Sequence, residues 1–174
     1  QELPSYDQAR SVMVYDEASS RMITSFKYSD RTHLSVLLSR LLSARAKELS
    51  SAADLIMPVP LHWRRFLSRR YNQSYLLARE LARSAEKPLM HRLLRRTKYT
   101  LQQTGLSRAE RRKNVQSAFR VAKKKYPQVK DKTVLLVDDV LTTGATVEAC
   151  AKALKKAGAQ KVMVVTVARR VNRS

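Results

Sequence analysis

Cysteine is nearly absent from this 174-residue chain: Cys150 stands alone, so neither an internal disulfide nor a cysteine zinc site can form within it. Glycine is almost as scarce, with Gly105, Gly144 and Gly158 the only three. Neither the nucleotide P-loop pattern GxxxxGK(S/T) nor the dinucleotide pattern GxGxxG is present. No apolar run approaches the ~20 residues of a membrane span, and no basic start leads into a signal-like apolar segment. A cytoplasmic protein is the default expectation. Acidic residues are few as well, 14 Asp and Glu against 35 Lys and Arg, for a formal net charge of +21. That excess points to nucleic acid, phosphorylated metabolites or an acidic partner, beside the plainer reading of a solvated basic surface. Internal repeats, low-complexity tracts and linkers are also missing. The length and the 44% hydrophobic content therefore predict one domain, residues 1–174, with a real core. The chain starts at Gln1 rather than methionine, and further residues are expected upstream.

What is present reads as alternating strands and helices. Ser11 to Tyr15 suits a strand, and Asp16 and Glu17 offer helix-start chemistry before Met22, Ile23 and Phe26. Leu34, Leu37, Leu38, Leu41 and Leu42 follow the helical rule over roughly four turns and predict a core-facing stripe. The run DLIMPVPLH predicts a strand, and after a basic loop Ser74, Leu77, Ala78, Leu81, Ala82 and Ala85 line one helical face. Pro88 to Leu94 suits a further strand, Arg95 to Leu106 a mobile loop, and Ser107 to Gln116 a charged helix with a Ser107/Glu110 capping box. Ala118 to Ala122 suits another strand. The clearest unit comes last: Thr133 to Val137 as a buried strand, Val147, Cys150, Ala151 and Leu154 as a helical stripe, Gly158 at the helix end, and Lys161 to Ala168 as a strand. Repeated strand-helix-strand units predict an open α/β sheet.

The stretch VLLVDDVLTTGAT, Val134 to Thr146, carries the chemistry. Ligands of such sheets sit beyond the carboxyl ends of the strands, where Asp138 and Asp139 fall. Thr142, Gly144 and Thr146 then lead into a helix N-terminus, where backbone N–H groups and the macrodipole favour a phosphate. Two carboxylates would repel that phosphate, so they should meet sugar hydroxyls, a metal ion or developing positive charge. A ribose 5-phosphate satisfies both halves. Competing readings lack support: a receiver domain needs a later phospho-acceptor aspartate and none follows Asp139, while a simple helix cap leaves the paired carboxylates unexplained.

This stretch closely resembles the phosphoribosyl pyrophosphate motif of type I phosphoribosyltransferases. The resemblance implies that Asp138 and Asp139 engage the ribose hydroxyls, and that Thr142, Thr143, Gly144, Ala145 and Thr146 wrap the 5-phosphate. Three further stretches, VYDEASSRMITSFKYSDR, PVPLHWRRFLSRRYNQSYLLARELA and QQTGLSRAERRKNVQSAF, resemble segments of the ComF family, competence-associated proteins built on that fold. Together they cover most of the chain. The implied fold is α/β, an open and mostly parallel sheet flanked by helices. A small N-terminal or hood portion would span approximately 1–50 and the core 51–174. Arg64, Arg65 and Arg69, with Thr104 and Arg108 of a closing loop, are implied pyrophosphate contacts; guanidinium groups suit paired, charge-assisted bonds to such oxygens. Gly105 and Arg111 belong to the same candidate set, with a solvated helix as the alternative for the arginines. His62 and Trp63 read equally well as structural. Family members usually carry glycine where Arg70 stands, so the turn before Asn72 forms without that freedom. They also commonly begin with a cysteine-rich zinc-binding segment, which this chain lacks.

If catalytic, the implied reaction displaces pyrophosphate from ribose C1 by a nitrogen nucleophile, with Mg²⁺ held mainly by substrate rather than by a protein cage. The residues identify no acceptor pocket. The alternative is a non-catalytic competence protein that uses the fold for ligand sensing while binding single-stranded DNA or a competence helicase. Arg92, Arg95, Arg96, Lys98, Arg108, Arg111, Arg112 and Lys113 face only Glu110 in their stretch, with Tyr99 among them, a pattern suited to a DNA backbone and a stacked base. A homodimer is a further candidate assembly.

Overall fold

The structure, a computed structural model, describes residues 3–28, 32–61, 72–97 and 118–171. Strands β1 (Gln8–Val14), β2 (Leu55–Pro58), β5 (Thr133–Leu141) and β6 (Lys161–Arg169) form one parallel sheet in the order β1-β6-β5-β2. β3 (Leu94–Arg96) and β4 (Phe119–Val121) pair antiparallel in a separate two-stranded sheet. The helices are α1 (Glu17–Tyr28), α2 (Thr32–Ala52), α3 (Gln73–Ser84) and α4 (Ala145–Lys156), with a 3-10 turn at Lys123–Gln128.

Parallel strands are covered on both faces and read as unbroken apolar runs. On β5, Val134 and Leu136 join Met57, Val164, Phe119, Val147, Cys150 and Leu154 beneath α4 and the β3-β4 pair. Leu135 and Val137 join Ile56, Met163, Val165, Leu38, Leu42, Leu77 and Leu81 beneath α2 and α3. Among the described residues, the sheet holds beyond β2 only an isolated parallel bridge, Ile56 to Leu89. Ile56 N donates outward to Pro88 O, whereas Val59 N donates to Val137 O at 2.9 Å. Pro58 shares the parity of Ile56, so the N–H it lacks would point away from β5.

Local chemistry fixes the helix ends. Ser19 N donates to Asp16 Oδ1 and Asp16 N to Ser19 Oγ, both at 2.8 Å, a reciprocal cap on α1. The Ser19 N–H, and after it the Ser19 hydroxyl, hold the Asp16 carboxyl below its usual range. Gly158, at φ +94°, ends α4 as Ala159 N donates to Leu154 O at 3.0 Å, the Schellman arrangement.

Two expectations change. The strand expected over Pro88 to Leu94 shrinks to the single bridge at Leu89, because exposed His91 and Arg92 turn the chain; β3 begins at Leu94 and takes in Arg95 and Arg96, which had read as loop. The leucine stripe on α2 divides: Leu38 and Leu42 are fully buried, while Leu37 and Leu41 remain 49% and 40% exposed. The sheet covers the narrower line that continues through Ala46 and Leu49. The charged helix expected at Ser107 to Gln116 lies outside the described residues.

Candidate functional site

Asp138 and Asp139 lie near the carboxyl end of β5, between β6 and the exit of β2. Regular alternation breaks across them. Val137 faces the α2-α3 side, yet Val140, three residues on, packs on that same side and Leu141 on the α4 side. The two carboxylates therefore occupy the point where the strand re-aims its side chains. Asp138 Oδ1 accepts from Ser74 Oγ at 2.9 Å and from Asp139 N at 2.9 Å; Asp139 Oδ1 accepts from Val140 N at 2.7 Å. Side-chain and main-chain donors thus fix the orientation of both groups before any ligand arrives.

Ser74 reaches Asp138 because α3 starts at the same edge. Asn72 caps that helix by accepting from Ser74 N at 3.1 Å, and its Nδ2 donates to Val59 O at 3.2 Å. Val59 in turn is bonded to β5 at Val137. The cap ties the exit of β2, the start of α3 and the acidic strand end into one unit. Gln73, beside it, is buried.

After Leu141 the chain turns through exposed Thr142 and Thr143 to half-buried Gly144, Ala145 and Thr146. Gly144 sits at φ +75°, the left-handed region, as N-cap of α4 without a side-chain cap bond. Thr143 Oγ1 accepts from Ala145 N at 3.4 Å, and the first helical bond of the turn is Glu148 N to Gly144 O at 2.9 Å. The N–H groups of Ala145, Thr146 and Val147 precede that bond and point out of the helix end, where an anion is favoured.

Cys150, fully buried on α4, lies below the acidic pair. Burial pushes its thiol well above the usual value; the Asp138 charge adds to the rise and the Arg96 guanidinium opposes it. Arg96 is half-buried, with its guanidinium carbon 5.4 Å from the Phe119 ring centre, while Arg92 and Arg95 are exposed. The sequence grouped Arg96 with a basic surface; the β3-β4 pairing turns it inward.

The structure thus brings Asp138, Asp139, Thr142, Thr143, Gly144, Ala145 and Thr146 together at one edge. Arg64, Arg65, Arg69, Thr104 and Arg108, together with His62, Trp63, Arg70, Gly105 and Arg111, lie outside the described residues. The orienting role of Ser74 was missed, since its helical spacing marked it only as a face residue; its place two residues after a capping Asn was the available signal. Among the described residues no group of three or more His, Cys, Asp and Glu converges as a metal cage. Two carboxylates are hard oxygen donors, suited to Mg²⁺ only alongside oxygens from a ligand. No described helix is long and apolar enough to cross a membrane.

Comparison with known proteins agrees with this fold. The family model described as Phosphoribosyl transferase domain matches residues 72–173. The chain is 35% identical to "Competence protein F" of Haemophilus influenzae over 173 residues, 95% of this chain and 74% of that protein. It is 35% identical to "DNA utilization protein YhgH" of Escherichia coli K12 over 169 residues, 94% of this chain and 73% of that one. Among solved structures, "the allosteric regulatory enzyme of purine biosynthesis" superposes with TM-score 0.54 at 22% identity, covering 82% of this chain and 29% of that one. The glutamine phosphoribosylpyrophosphate amidotransferase of B. subtilis gives 0.54 at 20% identity, covering 82% and 30%. At such identity the likeness shows the fold alone, and the chain spans less than a third of either enzyme.

Proposed function

From the premise that this chain belongs to the ComF family, built on the phosphoribosyltransferase domain, we propose that it binds phosphoribosyl pyrophosphate and transfers the phosphoribosyl group to a nitrogen acceptor. The observation that carries this reading is the single edge formed by the Ser74-oriented Asp138, Asp139 and the left-handed Gly144 turn. A 5-phosphate would sit on the N–H groups of Ala145, Thr146 and Val147, flanked by the hydroxyls of Thr142 and Thr143. The ribose hydroxyls would then face the two aspartates.

In the transfer, the bond from ribose C1 to the pyrophosphate oxygen breaks as the acceptor nitrogen bonds to C1, and the nitrogen releases its proton. Positive charge builds on the ring between these events. Asp138 and Asp139 favour it, and because their donors already hold them, little reorganisation is required. Mg²⁺, when bound with the substrate, would neutralise the diphosphate charge. Arg64, Arg65, Arg69, Thr104 and Arg108 are the proposed contacts for the departing pyrophosphate.

A specific observation favours a second, compatible activity. On the β3-β4 pair the exposed Arg95 stands directly opposite the exposed Arg120. Like charges in such a pair are destabilising unless an anion lies between or over them. Lys123 and Lys124 continue the exposed basic face, and single-stranded DNA is the proposed occupant, within a cytoplasmic setting. A DNA-processing helicase or a second copy of this chain would be further partners. Two assays separate the activities. Pyrophosphate release across a panel of nitrogen acceptors should occur with the wild type and disappear with the Asp138→Asn/Asp139→Asn variant; release that persists contradicts the assigned site. Oligonucleotide binding should survive that variant and weaken in Arg95→Ala/Arg120→Ala, with a salt dependence of roughly 0.7 power per neutralised phosphate. Loss of both activities in the double Asn variant would refute the separation.

A further inference from the structure

The phosphate turn is walled by a residue from the far end of the sequence. A Cβ placed on Gly144 would lie 3.9 Å from Tyr6 Oη and 4.0 Å from Leu141 Cδ1. Tyr6 is half-buried, and its side chain packs on the α4-side core. Its hydroxyl makes no hydrogen bond among the described residues.

The residues on either side of Tyr6 are fastened to α4 and β6. Ser5 N and Ser5 Oγ donate to the two oxygens of Glu148 at 2.8 and 2.7 Å. Glu148 is only 7% exposed, and Lys152 Nζ approaches it at 3.5 Å. Asp7 N donates to Val162 O at 2.8 Å, and Asp7 Oδ2 accepts from Val162 N at 2.7 Å and Lys155 Nζ at 2.9 Å. One anchor grips the first turn of α4 and the other its last turn, with Tyr6 between them. A nearly buried carboxylate one turn below an anion site would oppose an anion there, but the Ser5 donors and Lys152 turn and compensate it. The clasp holds a phenol hydroxyl, a hydrogen-bond donor, against the one turn residue that has no side chain.

We propose that Tyr6 is a ligand-contacting residue of the ribose-phosphate site, its hydroxyl donating to an oxygen of the 5-phosphate, and that Ser5 and Glu148 are positioning residues for it. This rests on the ribose-phosphate reading given above. Helix N–H groups approach a phosphate from one direction and leave oxygens on its flanks; Thr142 and Thr143 offer hydroxyls there, and Tyr6 supplies a further donor beside Gly144. The clasp preorganises that donor, so binding does not have to order it.

The test is calorimetric titration of the full chain with ribose 5-phosphate, with melting temperature measured on each variant. Tyr6→Phe keeps the ring and removes only the hydroxyl. It should bind roughly tenfold more weakly, the effect of one hydrogen bond to a charged group, with its melting temperature unchanged. Glu148→Gln should weaken binding in the wild-type background and add no further loss in the Tyr6→Phe background. A Tyr6→Phe protein that binds as tightly as wild type overturns the contact while leaving the site reading intact. Losses that add fully in the double variant overturn the positioning role. No binding by folded wild type overturns the contact and the site reading together.

Discussion

Replacing Gly144 by alanine should cost stability through backbone conformation alone. The residue sits at φ +75°, and the nearest atoms to an added Cβ are 3.9 and 4.0 Å away, ordinary contact distances. Steric exclusion therefore contributes little. Holding an L-residue in the left-handed region costs about 1–2 kcal/mol, and the reduced freedom of the unfolded chain returns about 0.4–1 kcal/mol. The middle of each range leaves a net loss of about 0.8 kcal/mol, which corresponds to a melting temperature lower by roughly 2–3 °C for a chain of this size. Gly158→Ala provides the control. At φ +94° its Cβ would meet Lys130 Cγ at 3.3 Å and Lys130 Cα at 3.4 Å, so crowding against the Lys130 side-chain stem and backbone adds to the conformational cost and the drop should be larger. Ribose 5-phosphate affinity should separate the two in the opposite sense. Gly144→Ala tilts the N–H groups of the phosphate turn and should weaken binding more than tenfold, whereas Gly158→Ala, at the other end of α4, should leave it unchanged. Thermal melts and calorimetry on the three proteins decide the matter. A Gly144→Ala protein that melts and binds like wild type would refute the left-handed turn and its role together.

Ser74→Ala leaves Asp138 with its main-chain donor but without the hydroxyl; affinity for phosphoribosyl pyrophosphate should fall roughly tenfold, and unchanged affinity would show that the hydroxyl does not orient the carboxylate. Cys150 is fully buried with its thiol pushed well above the usual value by burial, then by Asp138. A thiol-reactive disulfide at pH 8 should modify it only in denaturant, and rapid native modification would contradict the packing of α4. Burial raises the Asp7 carboxyl, but the Val162 N–H and Lys155 outweigh this and leave it below the usual 3.8. Its stabilisation is thus present above about pH 4 and lost as pH falls through the lower folded value. Asp7→Asn should therefore melt lower than wild type at pH 6, with the gap closing toward pH 3; a gap that widens in acid would contradict the sign.

The sheet and its edge were legible because buried parallel strands and capped helices leave local marks. The run Val134 to Val137, the stripe through Cys150 and Leu154 and the glycine at 158 define β5, α4 and the start of β6 with only short-range information. The acidic turn was equally visible, since two aspartates followed by hydroxyls and glycine have few structural explanations. Contacts between distant parts of the chain were not. Its place after a capping Asn marks Ser74 only as part of a helix start; its role as a carboxylate donor depends on β2 lying beside β5. Tyr6 and Ser5 look like an unremarkable polar start until β1 pairs with β6 and carries them along α4. Leu37 and Leu41 repeat the error in reverse, because periodicity reports a wide apolar arc but not how much of it the sheet covers.

The most direct test of the account is calorimetric titration with phosphoribosyl pyrophosphate, with and without Mg²⁺, on wild type and on the Asp138→Asn/Asp139→Asn variant. Asparagine retains the acceptor oxygen that Ser74 and the main chain use, so the fold should persist while the charge is removed. The account predicts Mg²⁺-dependent binding by the wild type that the variant loses; no binding by folded wild type, or equal binding by both proteins, would contradict it.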